Sequence, residues 1–253
     1  MLPPMGMTLA KWLEAEPFTL TMSSGFFGFF AHTGVLLALE ERGLLPQRVT
    51  GSSAGALVTG LFAAGLSAQH LRAELLALRR SDFWDPGLGA GLLRGERFAR
   101  KLEALLPVRT FSECRIPYAA SVFDVKSRTT RVLNEGSLAV AIRASCTLPL
   151  LFQPVWHEGR PLLDGGIEDR PGLLAVPEGE RVLYHHLASR SPWRRRASPS
   201  LAIPARSGLT ALVLPDLPRV GPFRLQAGRA AFDAAYNRAS AALDATQKPE
   251  LLA

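Results

Sequence analysis

Gly51-Ser52-Ser53-Ala54-Gly55 holds a serine between two glycines in G-x-S-x-G spacing, with the apolar lead-in Val49-Thr50 before it and small residues after it. A serine hydroxyl attacks an acyl carbon only when a base takes its proton and donors meet the oxyanion that forms. On a tight strand-to-helix turn the hydroxyl stands clear of the backbone, and the N–H groups of the following helix aim at the same point. Gly51 and Gly55 flank Ser53 because a side chain at either place would crowd that turn. The five residues alone fit a plain turn equally well, so base and oxyanion donors must be sought elsewhere in the chain.

Upstream, Phe18-Thr19-Leu20-Thr21-Met22 reads as a buried strand running into Ser23-Ser24-Gly25-Phe26-Phe27-Gly28. A helix is expected from Phe29 to Arg42, closed by Gly43 in the C′ position, with Val35, Leu36, Leu39 and Leu44 on its apolar face. A glycine-containing loop between strand and helix exposes consecutive backbone N–H groups, a nest able to hold phosphate or an oxyanion. A plain helix-start turn is the alternative. A dinucleotide site fits poorly, because the first glycine of its fingerprint is missing and no acidic residue ends a second strand at the expected distance.

Downstream, Arg160-Pro161-Leu162-Leu163-Asp164-Gly165-Gly166 reads as a short strand ending in Asp-Gly-Gly. A hairpin turn is the ordinary explanation of Asp-Gly. The preceding run, Ala144 to Pro154, reads instead as a helix end, a proline-bounded turn and an apolar segment that together deliver Asp164 to a fixed place.

In order and spacing these three segments resemble the patatin-like phospholipase family, over roughly Phe18 to Asp169. Ser23 to Gly28 stands for the family's glycine-rich oxyanion loop, Gly51 to Gly55 for its serine motif, and Asp164-Gly165-Gly166 for its Asp-Gly-Gly. Ala31 to Leu36 and the Ala-Ser-x-x-x-Pro run from Ala144 to Pro149 also look like the family's. The resemblance implies a three-layer α/β/α fold with a largely parallel central sheet. It also implies hydrolysis of lipid acyl esters without metal or cofactor. Ser53 would be the nucleophile and Asp164 its partner, with oxyanion donors on Ser24, Gly25 and Phe26 and at Ala54. The chain departs from the family pattern with Ser23 and Ser24 where glycines are usual, with Phe27 where a basic residue often stands, and with the shorter Asp169-Arg170-Pro171 after Asp-Gly-Gly. These departures bear on loop geometry and efficiency more than on reaction class.

Two rivals remain. Ser53, Asp164 and His185 or His186 have the chain order of an α/β-hydrolase triad, although the serine turn follows only the second strand, early for that fold. The other rival is a lipid-binding module that kept the fold without catalysis.

The 253 residues carry a formal net charge of +7 and are 47% apolar, enough for one sizeable α/β domain. One domain from residue 18 to 253 is expected, behind an N-terminal extension of residues 1–17. No apolar run reaches the ~20 residues of a membrane span, and the first residues lack the pattern of a secretory leader. Cys114 and Cys146 have no metal-ligand spacing and read as thiols of a reducing compartment, which favours a cytoplasmic setting. Between Arg181 and Pro215 there are arginines at 181, 190, 194, 195, 196 and 206 and no acidic residue. Beside Trp193, this segment reads either as a solvated loop or as a contact for anionic lipid headgroups. Nucleic acid is not an expected partner, because interleaved aromatics and a recognition motif are lacking. Nothing in the sequence sets the oligomeric state.

The elements that must position these residues follow from periodicity. Strand, helix and strand from Phe18 to Thr50 form a βαβ unit, continued by a helix from Ala54 to Ala64 that stops at Gly65. Ser67 caps a helix to Leu78, Phe83 to Arg94 reads as a loop bordering a substrate groove, and Glu96 to Leu106 is helical. Ile116–Phe123 and Thr129–Leu133 pair as strands, and Ser137–Ser145 is helical. Val182–Leu187 and Thr210–Leu214 complete the sheet, and an Ala-rich helix spans Leu225–Ala245.

Overall fold

Strands buried on both faces form the centre of the structure, a computed structural model that describes residues 6–188 and 201–246. Along the chain the elements are α1 (Leu9–Ala15), β1 (Thr19–Met22), α2 (Phe29–Glu40), β2 (Arg48–Ser52), α3 (Ala54–Ala63), α4 (Ala68–Leu76), β3 (Gly91–Leu93), α5 (Glu96–Leu105) and β4 (Tyr118–Asp124). Then come β5 (Thr129–Leu133), α6 (Leu138–Ser145), β6 (Leu150–Phe152), β7 (Val155–His157), β8 (Arg160–Asp164), β9 (Val182–His186), β10 (Leu209–Val213) and α7 (Gly228–Asp244).

An eight-stranded sheet runs β10-β9-β1-β2-β4-β8-β7, with β5 paired to β4. From β10 to β4 every pairing is parallel, whereas β5, β7 and β8 pair antiparallel. The mixed α/β class and the largely parallel sheet are those the sequence predicts. β1 and β9 are buried at every position, so the polar residues Thr19, Thr21, His185 and His186 lie inside beside the apolar ones.

The main core lies between the sheet and the helices. Leu183 of β9 belongs to it, whereas its neighbours Val182 and Tyr184 face a smaller cluster with Leu173 and Val176. The third layer is therefore thin: the segment from Gly165 to Arg181 covers that second face, with only a short 3-10 turn at Gly165–Ile167. On the helical side, α2 packs closely on α7. A Cβ at Gly34 would sit 2.5 Å from the Phe232 carbonyl, so glycine is what allows the two backbones to approach.

Capping follows the sequence reading. Ser67 accepts from the His70 amide at the start of α4, and Gly43 and Gly65 end α2 and α3 with φ of 68° and 109°; Ser137, expected as the first residue of α6, instead caps it by accepting from the Val140 amide. Three features were not legible beforehand. Residues 1–17 contain α1, which buries Leu9, Trp12 and Leu13. The expected loop after Phe83 contains β3, which pairs with β6 in a separate small sheet. Residues Leu225–Ala227 form a 3-10 turn ahead of α7 rather than its first turn.

Candidate active site

Ser53 sits between β2 and α3 with φ 55° and ψ −121°, a region that non-glycine residues rarely occupy and that costs about 1–3 kcal/mol. The neighbouring glycines make the turn sterically feasible. A Cβ at Gly55 would lie 1.9 Å from the Met22 carbonyl, and one at Gly51 would lie 2.5 Å from the Ala56 nitrogen. Ser145 holds the strained backbone. Its Oγ accepts from the Ser53 amide at 2.9 Å and donates to the Ser121 carbonyl at 2.7 Å. The Ala-Ser-x-x-x-Pro run contained this residue, but nothing in its spacing revealed the partner.

Ser53 and Asp164 meet because β4 lies between their strands. Ser52 of β2 pairs with Ser121 in parallel register, and Asp164 of β8 pairs with Val122 in antiparallel register. Residues 111 positions apart are thereby brought together, and Ser53 Oγ donates to Asp164 Oδ2 at 2.6 Å. That is the length range of a hydroxyl bonded to a carboxylate. The other oxygen, Oδ1, accepts from the Gly166 amide at 2.8 Å, which fixes the carboxylate plane. Asp164 is buried at 3% exposure. The Asp-Gly-Gly segment is thus a strand end followed by a 3-10 turn, not a hairpin.

The loop from Ser23 to Gly28 is tied down at its start. Ser23 donates its amide to the His185 carbonyl at 3.2 Å, accepts from the Leu187 amide through Oγ at 2.9 Å, and meets His32 Nε2 through its carbonyl at 2.8 Å. Ser24 departs from expectation as an oxyanion donor: its amide is engaged with the Arg170 carbonyl at 2.8 Å. Among the described residues, the amides of Gly25, Phe26 and Ala54 have no protein acceptor. Phe27 adopts φ 55°, unusual for a bulky residue, and its ring packs on Phe26, Phe29 and Phe83. Ring packing therefore holds a conformation that a glycine would adopt freely.

The two histidines of the triad alternative are engaged elsewhere. His185 bonds His32, and His186 Nδ1 meets the Tyr184 hydroxyl at 2.9 Å. Burial pushes the His32 imidazole down to about 3 and His185 well below the usual range. Cys146 lies against the turn, its Sγ 3.1 Å from the Ser53 carbonyl; burial pushes its thiol pKa well up, so it stays protonated.

A cavity of about 440 Å³ opens beside Ser53 and Asp164. Ala54, Leu57 and Leu61 of α3 line it, with Leu102 and Leu105 of α5 and the segment from Leu148 to Phe152. The helix carries apolar side chains away from the serine over about 10 Å, at roughly 1.5 Å of rise per residue. Arg170, 5% exposed, also lines it and bonds the Leu187 carbonyl. Neither this buried cation nor the His32–His185 pair carried a sequence signal, since each depends on a strand placed by long-range pairing.

The basic segment divides. Arg181 lies over the Trp12 ring, 3.7 Å from its centroid, and pairs with Glu16 at 3.2 Å, so it anchors α1. Arg206 is bonded to the carbonyls of Leu173, Val176 and Pro177. Arg190, Trp193, Arg194, Arg195 and Arg196 lie outside the described residues.

Sheet, turn and cavity together define a mixed α/β protein in which a strained serine is hydrogen-bonded directly to a buried aspartate. The chain belongs to the patatin-like phospholipase family, whose model matches residues 20–176. An uncharacterised NTE family protein of Mycobacterium tuberculosis is 35% identical over 153 residues, 59% of this chain and 42% of that protein. Patatin-like phospholipase domain-containing protein 6 of Homo sapiens is 29% identical over 185 residues, 69% of this chain and 14% of that protein. The chain thus spans less than half the length of these curated relatives. Among solved structures, VipD from Legionella pneumophila matches with a TM-score of 0.65 at 15% identity, covering 91% of this chain and 67% of that one, a likeness of fold.

Proposed function

We propose that this chain is a serine acyl hydrolase acting on lipid esters, with Ser53 as nucleophile and Asp164 as its base. The observation that carries the reading is the 2.6 Å bond from Ser53 Oγ to Asp164 Oδ2 at the head of an apolar cavity. Asp164 takes the hydroxyl proton as Ser53 Oγ bonds to the ester carbonyl carbon. The amides of Gly25, Phe26 and Ala54 hold the oxyanion. As the C–O bond to the alcohol breaks, Asp164 returns the proton to the leaving oxygen. Water, deprotonated by the same carboxylate, then bonds to the acyl carbon; the bond to Ser53 Oγ breaks, Asp164 returns the proton to that oxygen, and the fatty acid leaves. The matching lysophospholipase NTE1 of Mycosarcoma maydis, 29% identical over 184 residues, is named for an ester of this kind. Single-chain phospholipids are therefore the first substrates to try.

The test is a panel of p-nitrophenyl esters and defined phospholipids with wild type, Asp164→Asn, His185→Ala and His186→Ala. The expected result is loss of turnover by at least a thousandfold in Asp164→Asn and by no more than about tenfold in the histidine variants. The reverse pattern would restore the triad reading. A folded chain that hydrolyses nothing but still binds lipid would restore the binding-module reading.

A further inference from the structure

The cavity mouth is framed by apolar side chains that the fold leaves in solvent. Leu150 and Phe26 line the cavity and are nonetheless 73% and 44% exposed. Around them stand Leu88, fully exposed, with Leu92 at 52% and Phe223 at 66%. These residues are joined by short contacts. Gly91 pairs with Leu150 across β3 and β6, and Gln153 Nε2 donates to the Leu88 carbonyl at 2.8 Å. The Gly87 amide donates to the Leu92 carbonyl at 3.1 Å, so Leu88 stands at the tip of a turn. On the other flank Gly221 lies beside the Phe26 ring, and Phe223 packs on Trp84 with centroids 5.4 Å apart.

Cations border this apolar ring. The Arg80 guanidinium lies 5.2 Å from the Phe223 centroid and 5.8 Å from that of Trp84, and Arg79, Arg94 and Arg224 are exposed nearby in the chain. The half-buried acids among them are bonded to local backbone amides: Asp82 accepts from the Arg79 amide, and Asp85 accepts from the amides of Gly95, Glu96 and Arg97 at the start of α5. An apolar ring with arginine and tryptophan at its edge matches the layering of a phospholipid surface, where tails lie beneath polar, partly anionic headgroups.

We propose that this rim is a docking face for an anionic phospholipid surface, which seats the cavity mouth on the bilayer. Leu150 and Phe26 belong both to the rim and to the cavity wall, so whatever covers the rim also covers the entrance. A protein partner there would shut the site, whereas a lipid surface would feed it. The reason for a lipid occupant rests on the acyl-hydrolase reading, but binding itself is separable from hydrolysis.

The experiment therefore uses the full chain carrying Ser53→Ala, pelleted with vesicles of phosphatidylcholine alone or with phosphatidylglycerol. Leu88→Ser, Leu92→Ser and Phe223→Ser are combined in that background, and none of the three side chains lines the cavity. The expected result is at least a tenfold loss of partitioning in the triple variant, since a single apolar side chain entering lipid contributes on the order of tenfold. Arg80→Ala should lose about fivefold, and only on the vesicles with phosphatidylglycerol. With Ser53 restored, the triple variant should hydrolyse a soluble monomeric ester within twofold of wild type, which separates docking from chemistry. Should neither parent protein hydrolyse esters while the partitioning loss holds, the docking face stands and the hydrolase reading falls. Unchanged partitioning of a folded triple variant would overturn the proposal and assign any vesicle binding to other parts of the chain. Concentration-dependent self-association that the triple variant abolishes, without a change in vesicle binding, would assign the rim to a second copy and overturn it as well.

Discussion

His32 of α2 and His185 of β9 meet Nδ1 to Nδ1 at 2.8 Å, with their rings at 89° and centroids 4.7 Å apart. Both side chains are fully buried. Their protonation follows from the partners. The Ser23 carbonyl can only accept, so His32 Nε2 carries a hydrogen and His32 Nδ1 is bare. His185 Nδ1 must then donate, which leaves His185 Nε2 as a buried lone pair without a hydrogen-bond partner among the described residues. The pair joins a helix to a strand beneath the loop that presents Gly25 and Phe26.

Loss of this support should show in turnover rather than in substrate affinity. His32→Ala is expected to lower kcat by about tenfold to a hundredfold while KM stays within twofold. That loss is less than the ~10²–10³ for deleting an oxyanion donor outright. His32→Gln should recover much of it by donating to the Ser23 carbonyl. Steady-state kinetics on a soluble ester check this, and an unchanged kcat in His32→Ala would remove the pair from the positioning of the loop.

The same pair should make the fold acid-sensitive. His32 is held down to about 3, mainly by burial, partly offset by its bond to the Ser23 carbonyl and deepened by the Arg170 charge. His185 lies well below the usual range, through burial and then the neighbouring histidines, and His186 is lowered to about 4 by burial and Arg170. In the unfolded chain each titrates near ~6.5. Below that pH the unfolded state binds protons that the folded state refuses. Stability is therefore full above about 6.5 and falls as pH drops, by up to ~1.4 kcal/mol per pH unit for each group, until the folded pKa is reached. Urea melts between pH 7.5 and 5 should show this slope, and His32→Gln should flatten it. A slope identical in wild type and variant would place the acid sensitivity elsewhere.

Two glycine substitutions should separate folding from chemistry. Gly55→Ala places a methyl group 1.9 Å from the Met22 carbonyl oxygen, a backbone atom that cannot rotate aside, and is expected to abolish soluble folding. A Cβ at Gly25 would come closest to Leu187 Cδ1, at 2.4 Å, the end of a flexible side chain, and this is the clash that Gly25→Val must relieve. It should fold, with melting temperature lowered by no more than a few degrees, but lose ~10²–10³ in turnover as the oxyanion amides shift. Thermal melts and kinetics on both variants decide the matter; normal turnover in Gly25→Val would place the oxyanion donors elsewhere.

The legible parts of this molecule were those written in local chemistry. Gly43, Gly65 and the capping serine Ser67 each signal a backbone state through residues a few positions apart. The order of the Ser53 and Asp164 motifs was legible for the same reason. Their contact was available only through the family resemblance, because it depends on β4 reading Ser52 and Asp164 into adjacent registers. Ser145, Arg170 and the His32–His185 pair stayed hidden because their partners lie on elements distant in sequence. β3 and β6 were missed because three-residue strands in a proline- and glycine-rich stretch carry no periodicity. The Ser24 amide looked available only until its pairing with the Arg170 carbonyl was seen.

The central claim is that Ser53 is the nucleophile activated directly by Asp164, and the most direct measurement is covalent labelling by a fluorophosphonate followed by intact-mass and peptide mapping. Wild type should gain one adduct, located on Ser53, and Ser53→Ala should gain none. Asp164→Asn should label at least a hundredfold more slowly while melting normally, and His185→Ala and His186→Ala should label within about tenfold of wild type. Labelling at another residue, or an Asp164→Asn protein that labels at the wild-type rate, would contradict the account.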